Sequence, residues 1–322
     1  MRAGCLLVFC ALACPAALAD EPPLNELGTS FQRSDLDVRW RAPSQALPDT
    51  LRAYHVSEAR FAPEVISNLM ALGPFTDKDE TNRFLHGSDD PKRVRFALAN
   101  GRSLEIFPSI GAIEYQDGAA EQMEVTEGVP AEKEMLDKTR AFLPKLGIKE
   151  SELATKRNSN DLLVFFTFRQ SVLYDKTNQP YTTNIYSRGV YFVRRVDGID
   201  FLGIGTRGGC RIDFGNHGQI ARISMLWRKL ERNRAYNTVK PETIVKWVQN
   251  GKSVLSPLRD DILPFDWSTV KSLTVTNAVP YLFGERSKVI QREIYPFATL
   301  YGVVDTGQSN VEVEIECPVI DE

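Results

Sequence analysis

Histidine is the scarcest of the chemistry-bearing residues in this 322-residue chain, present only as His55, His86 and His217. The three lie far apart, and none opens an H-E-x-x-H zinc motif. Cysteine is nearly as sparse. Of five, Cys5, Cys10 and Cys14 fall in the first nineteen residues, which leaves Cys210 and Cys317. So few dispersed donors argue against a His/Cys metal centre, and no metal or other cofactor is expected. No G-x-S-x-G nucleophile elbow occurs. An excess of one charge is also missing: 39 Lys+Arg face 42 Asp+Glu, and without Arg2 the 38 remaining give a formal charge of −4. Nucleic-acid binding, which needs a basic excess on one face, gains no support. Beyond the N-terminus no apolar run is long enough to span a bilayer.

What is present begins with residues 1–19, which read as a secretory signal. Arg2 supplies the positive region, Leu6 to Ala13 the apolar core, and Ala17-Leu18-Ala19 the cleavage site before Asp20. The expected location is secreted or periplasmic. Ala11-Leu12-Ala13-Cys14 loosely matches a lipobox with a poor first residue, so a lipid anchor is the less favoured variant. Residues 20–48, with Pro22, Pro23, Pro43 and Pro48, read as an extended leader with at most one short strand near Val38–Trp40.

The segment Gly189 to Leu226 shows the fold class most clearly. Val190, Phe192 and Val196 alternate with Tyr191 and Val193, Asp197-Gly198 is a hairpin signal, and Cys210, Ile212 and Phe214 alternate with Arg211 and Asp213. An antiparallel meander follows from this pattern. Gly203, Gly205 and Gly208 have the spacing of a dinucleotide loop, but a strand-like run follows where that loop needs a helix. Gly251-Lys252-Ser253 resembles the end of a phosphate loop, yet its first glycine position holds Lys246, so a helix end at Gly251 is the better reading.

Elsewhere the pattern of one helix followed by strands recurs. Pro63, Pro130 and Pro241 each open a helical stretch with an apolar face. The expected fold class is α+β: two or three cystatin-like units, each a helix packed on an antiparallel β-meander. The units span 49–125, 126–236 and 237–322.

In the second unit, R-G-V-Y-F-V-R-R-V-D-G-I-D-F-L-G, the strand Cys210 to Phe214, and G-N-H-G-Q-I-A-R-I resemble the PepSY and related propeptide modules. The plan is also similar to that of envelope proteins of the YycI and YycH kind. The resemblance covers about a third of the chain. It implies a cystatin-like fold and a role in inhibiting, chaperoning or regulating another envelope or secreted protein by contact. No protease domain accompanies the module, so any inhibition would act in trans.

Arg194, Arg195, Trp227 and Arg228 form the candidate binding cluster. Arg194 shares strand parity with Val190 and Phe192, so it must either snorkel to an edge or meet a carboxylate. Arg with Trp is also hot-spot chemistry for protein contacts. The competing reading is a packed tryptophan flanked by solvated basic residues. Cys210 and Cys317 both lie on apolar strand faces. They are read either as a disulfide, permitted in an exported protein, or as two separately buried thiols. His217 reads as a turn residue, and the pairs Asp89-Asp90 and Asp260-Asp261 as solvated loops. No catalytic residue is nominated. The functional expectation is a non-catalytic exported protein that binds or regulates another envelope or secreted protein. The alternatives are a secreted hydrolase with an unrecognised carboxylate site and a structural envelope component.

Overall fold

The computed structural model describes residues 29–76, 78, 80, 93–121, 126–173, 182–202, 208–255, 266–284 and 290–321. Residues 1–19, read above as a secretory signal, the loose lipobox match Ala11-Leu12-Ala13-Cys14, His86, Gly203, Gly205, Asp89-Asp90 and Asp260-Asp261 lie outside them. Among the described residues three α-helices, α1 (Pro63–Leu72), α2 (Glu132–Phe142) and α3 (Pro241–Gln249), accompany three sheets. Among the described residues no helix is long and apolar enough to cross a membrane.

A seven-stranded antiparallel sheet has the order β4 (Val94–Ala97), β5 (Arg102–Phe107), β6 (Ala112–Asp117), β12 (Ile220–Leu226), β11 (Gly209–Phe214), β8 (Thr182–Val193) and β7 (Val164–Leu173). Strand alternation sends Leu104, Ile106, Ile113, Ile223, Met225, Ile212, Val190 and Phe192 to one face. There they meet Val65 and Leu69 of α1, and Met135 and Phe142 of α2, in one core. The opposite face carries polar and charged residues.

The second large sheet runs β1 (Thr29–Ser30), β14 (Val254–Leu255), β18 (Asn310–Pro318), β17 (Pro296–Asp305), β15 (Ser272–Phe283), β10 (Ile199–Leu202) and β9 (Arg195–Val196). Two short parallel strands share one edge of β15. β2 (Asp37–Trp40) pairs at Ser272–Val275, and β10 pairs at Tyr281–Phe283. This sheet buries Ile244 and Val248 of α3, together with Phe31 and Leu36 of the leader. A small sheet of β13 (Lys229–Asn237), β3 (Thr50–Ser57) and β16 (Glu293–Ile294) lies alongside. Its Tyr54 and Ile294 pack on Phe201 and Leu282.

The expected repeat of helix-on-meander units is not what forms. Among the described residues the fold is mostly β, with 48% strand against 18% helix, in large antiparallel sheets. The decisive contact is β6 with β12, in register Tyr115↔Ile223. It fuses strands expected in separate units into one sheet, with two helices on the same face. The physical reason is edge satisfaction: a three-strand meander under one ten-residue helix leaves two open edges and a small core. Joining β6 to β12 closes two edges and merges both cores. The short strand expected near Val38–Trp40 forms as β2, and it pairs with β15 of the second sheet.

The local signals fare better. Asp197 and Gly198 have φ of 49° and 84°, the two positive values their hairpin turn requires. Gly208 is followed by strand β11, not by a helix. Gly251 follows α3 with φ 77°, a helix terminus. His217, at φ 56°, sits in a turn.

Of the two cysteine readings, the structure has the separately buried thiols. Cys210 and Cys317 are free, fully buried thiols in different cores, the first beside Ile212 and Phe192, the second beside Ile315 and Leu300. Burial pushes the Cys210 thiol up to about 12 and raises that of Cys317 too, so neither forms a reactive thiolate at neutral pH. Peptide mapping of the alkylated, unreduced protein should recover the Cys210 and Cys317 peptides unlinked. A linked pair would contradict this arrangement.

Candidate functional site

The four nominated residues do come together, but as a joint and not as an open surface. The chain leaves the seven-stranded sheet at Val193 and enters the second sheet at Arg195; it leaves again at Leu226 and enters the small sheet at Lys229. Arg194 and the pair Trp227-Arg228 are the two crossing points. Arg194, 8% exposed, donates from Nη1 to the Arg228 carbonyl at 2.6 Å, tying one crossing to the other. Its guanidinium lies 4.8 Å from the centre of the Trp227 ring and 3.6 Å from Glu152. Burial lowers the Arg194 pKa, and the Glu152 charge opposes that shift. Trp227 Nε1 also donates to Glu152, at 3.4 Å. The Trp227 amide donates to the Gly111 carbonyl at 2.7 Å, and Gly111, at φ 68°, passes so close to the Trp227 carbonyl that a Cβ would stand 2.5 Å from it. Arg228 is 2% exposed. Arg195 is held outside this knot by Asp200 at 2.6 Å and by the hydroxyl and carbonyl oxygens of Thr155 at 2.7 and 2.9 Å.

Parity therefore placed Arg194 correctly, on the buried side with Val190 and Phe192. The reading of solvated basic residues fails for Arg194 and Arg228. Glu152, Thr155 and Asp200, which complete the cluster, have no sequence pattern that links them to it.

Two other features are accessible. The first is the free edge of the seven-stranded sheet. Among the described residues β7 pairs only with β8, along ten residues. It exposes Phe165 at 50%, Phe166 at 41% and Phe168 at 61%. Phe165 points to the polar face with Tyr191, its ring centre 6.3 Å away, while Phe166 and Phe168 share the helix side with Val164. The sequence signal was the unbroken run Val164-Phe165-Phe166-Thr167-Phe168, legible as a strand but not as an edge.

The second is a groove of about 370 Å³ on the polar face, lined by Arg95, Arg169, Arg211, Arg222, Glu105 and Glu114 among others. Glu105 and Glu114 are direct cross-strand partners. A hydrolytic pair needs one carboxyl in surroundings that keep it protonated. Glu105 instead lies between Arg93 at 3.4 Å and Arg95 at 3.2 Å.

The carboxyl that does prefer its proton is Glu316 on β18. Burial raises its pKa to about 7, against hydrogen bonds from Tyr281 and Thr299 that pull it back. Those partners occupy the carboxyl, and it is not part of the neighbouring shallow groove of about 300 Å³ that holds Tyr301, Glu312 and Glu314. Glu316 is therefore a packing residue of the second sheet.

No family model matches the chain, and no curated protein matches it. Among solved structures, an uncharacterised protein from Eubacterium rectale aligns over 87% of this chain and 85% of its own, at 11% identity and a TM-score of 0.44. A likeness that loose carries no argument about fold or function.

Two outcomes test these assignments. Arg194→Ala strands the buried Arg228 carbonyl and removes the Trp227 contact, so urea unfolding should show a loss of about 2–4 kcal/mol. A loss comparable to that at Arg195, whose partner Asp200 is partly exposed, would contradict the joint. For Glu316, a folded value of about 7 against an ordinary 4.5 corresponds to about 3 kcal/mol. The folded state binds this proton more tightly. Its contribution is therefore full below pH 4.5 and is lost as pH rises to about 7. Glu316→Gln should flatten the pH dependence of stability in that window and stabilise the protein at pH 8; an unchanged pH profile would refute it.

Proposed function

We propose that this is a non-catalytic exported protein that holds another envelope or secreted polypeptide along the free edge of β7. The observation that carries the reading is the edge itself: ten residues long and rich in exposed phenylalanine. Proteins commonly blunt such edges with charge, proline or a cover, because unpaired backbone groups template strand addition. Here the edge carries apolar side chains on both faces. A segment laid beside it would gain main-chain hydrogen bonds from β7 and bury the rings of Phe166 and Phe168 on one side. The exported location rests on the N-terminal secretory pattern.

The hydrolase alternative is less well supported, since the cross-strand carboxylates of the polar face sit among guanidinium groups on an open sheet. A purely structural envelope role would need no exposed aromatic edge.

Photo-crosslinking tests the binding reading. A crosslinker at position 168 should give a discrete adduct in an extract of exported proteins, and Phe166→Ser/Phe168→Ser should reduce capture about tenfold or more without lowering the melting temperature. No adduct, or the same adduct from a probe at the distant Arg39, would overturn it.

A further inference from the structure

The polar face of the seven-stranded sheet is organised in transverse rows. Cross-strand register aligns Arg95, Glu105, Glu114, Ser224 and Arg211 on successive strands β4, β5, β6, β12 and β11. The adjacent row runs Gln116, Arg222, Asp213 and Gly189. Such a face needs no ordered charge pattern merely to stay soluble.

The pattern is ordered in depth. The carboxylates lie low: the Asp213 side chain is 0% exposed, Glu121 10% and Glu105 16%. The arginine side chains that pair with them are more exposed, with Arg95 at 29%, Arg169 at 27%, Arg211 at 26% and Arg222 at 30%. Each carboxylate anchors an arginine. Arg211 Nε donates to Asp213 at 2.7 Å, Arg169 Nη1 to Glu121 at 2.9 Å, and Arg222 Nη2 to the same Glu121 at 3.3 Å. Room for the buried Asp213 comes from Gly189, where a Cβ would stand 1.8 Å from Asp213 Oδ1.

A guanidinium has five N–H donors in a fixed plane, and one or two bonds to an anchor leave the rest for a ligand. Such anchoring also removes the rotamer freedom that binding would otherwise have to remove. The buried Arg222 Nε makes no hydrogen bond among the described residues, so a donor at the floor is still unfilled.

We infer that this groove binds a ligand bearing two or more oxyanion groups, carboxylate, sulfate or phosphate, held by the anchored forks of Arg211, Arg222 and Arg169 at one end and Arg95 at the other. Gln116 and Ser103 lie between the two ends and offer acceptors for ligand hydroxyls. An acidic oligosaccharide and a polyphosphate share this chemistry, and the test separates them. The inference is independent of the β7 edge, whose Phe166 and Phe168 face the other side of the sheet.

Calorimetric titration with trigalacturonate and with inorganic tripolyphosphate at low salt provides the test. At least one should bind, weaken as salt rises, and lose about tenfold in affinity in Arg222→Gln, one charge-assisted contact. Gln116→Trp, which obstructs the groove and touches no ion pair, should do the same and covers the case in which Arg222→Gln fails to fold. Arg232→Gln, on the exposed Asp197 pair elsewhere, should bind as the parent does. A preference for trigalacturonate assigns the hydroxyl-bearing class, and a preference for tripolyphosphate the phosphate class. No binding of either probe at millimolar concentration, or binding that Gln116→Trp leaves intact, would overturn the inference. Phe166→Ser/Phe168→Ser should leave both titrations unchanged, so failure here and failure at the β7 edge are read separately.

Discussion

The buried guanidinium of Arg194 ties together the two crossings between the sheets of this protein. Arg194 bridges the two points at which the chain leaves the seven-stranded sheet, bonding the Arg228 carbonyl and covering the Trp227 ring. Buried charge is costly unless it is hydrogen-bonded and paired, and each requirement is met here by a different stretch of chain: the 227–228 crossing and Glu152. Replacing any one partner leaves the others without a role. The geometry of the joint sets where β9 and β10 join the second sheet and where β13 begins. Through β13 it also sets where β3 lies. The polar face and the free β7 edge inherit their orientation from that arrangement.

Much of the local structure was legible from the chain alone. Alternation placed β8 and β11 close to where they form, and the prolines at 63 and 241 open helices as expected. Two kinds of information were missing. Strand partners are set by which edges must be closed, and nothing in the sequence of β6 or β12 names the other. Strands wet on both faces lack alternation altogether. β13, Lys-Leu-Glu-Arg-Asn-Arg-Ala-Tyr-Asn, is mostly exposed and forms a strand only because β3 offers it an edge. The repeat of helix-on-meander units was a reasonable inference from local order, and it failed at the scale of strand pairing.

The candidate cluster illustrates the same division. Parity identified Arg194 as the anomalous residue, a charge on a buried face, and proximity in sequence drew in Arg195, Trp227 and Arg228. What parity cannot say is whether such a residue faces a partner protein or another part of its own chain. The groove was equally half-visible. Arg211 and Asp213 alternate with Cys210 and Ile212 in the sequence, but Arg95, Arg169 and Glu121 reach the same face from strands and loops far away in the chain.

With the buried cluster assigned to the joint, the proposed recognition falls to the rim and the outer face of the seven-stranded sheet. The central claim is that β7 presents an unpaired edge in solution. Hydrogen exchange along Val164–Leu173 tests it directly. In an edge strand, amides bonded to β8 are protected while the alternating amides directed outward exchange at rates near those of an unstructured chain. That two-residue alternation is the predicted result. Uniform protection along β7 would show that another part of the chain covers the edge, and would contradict the account.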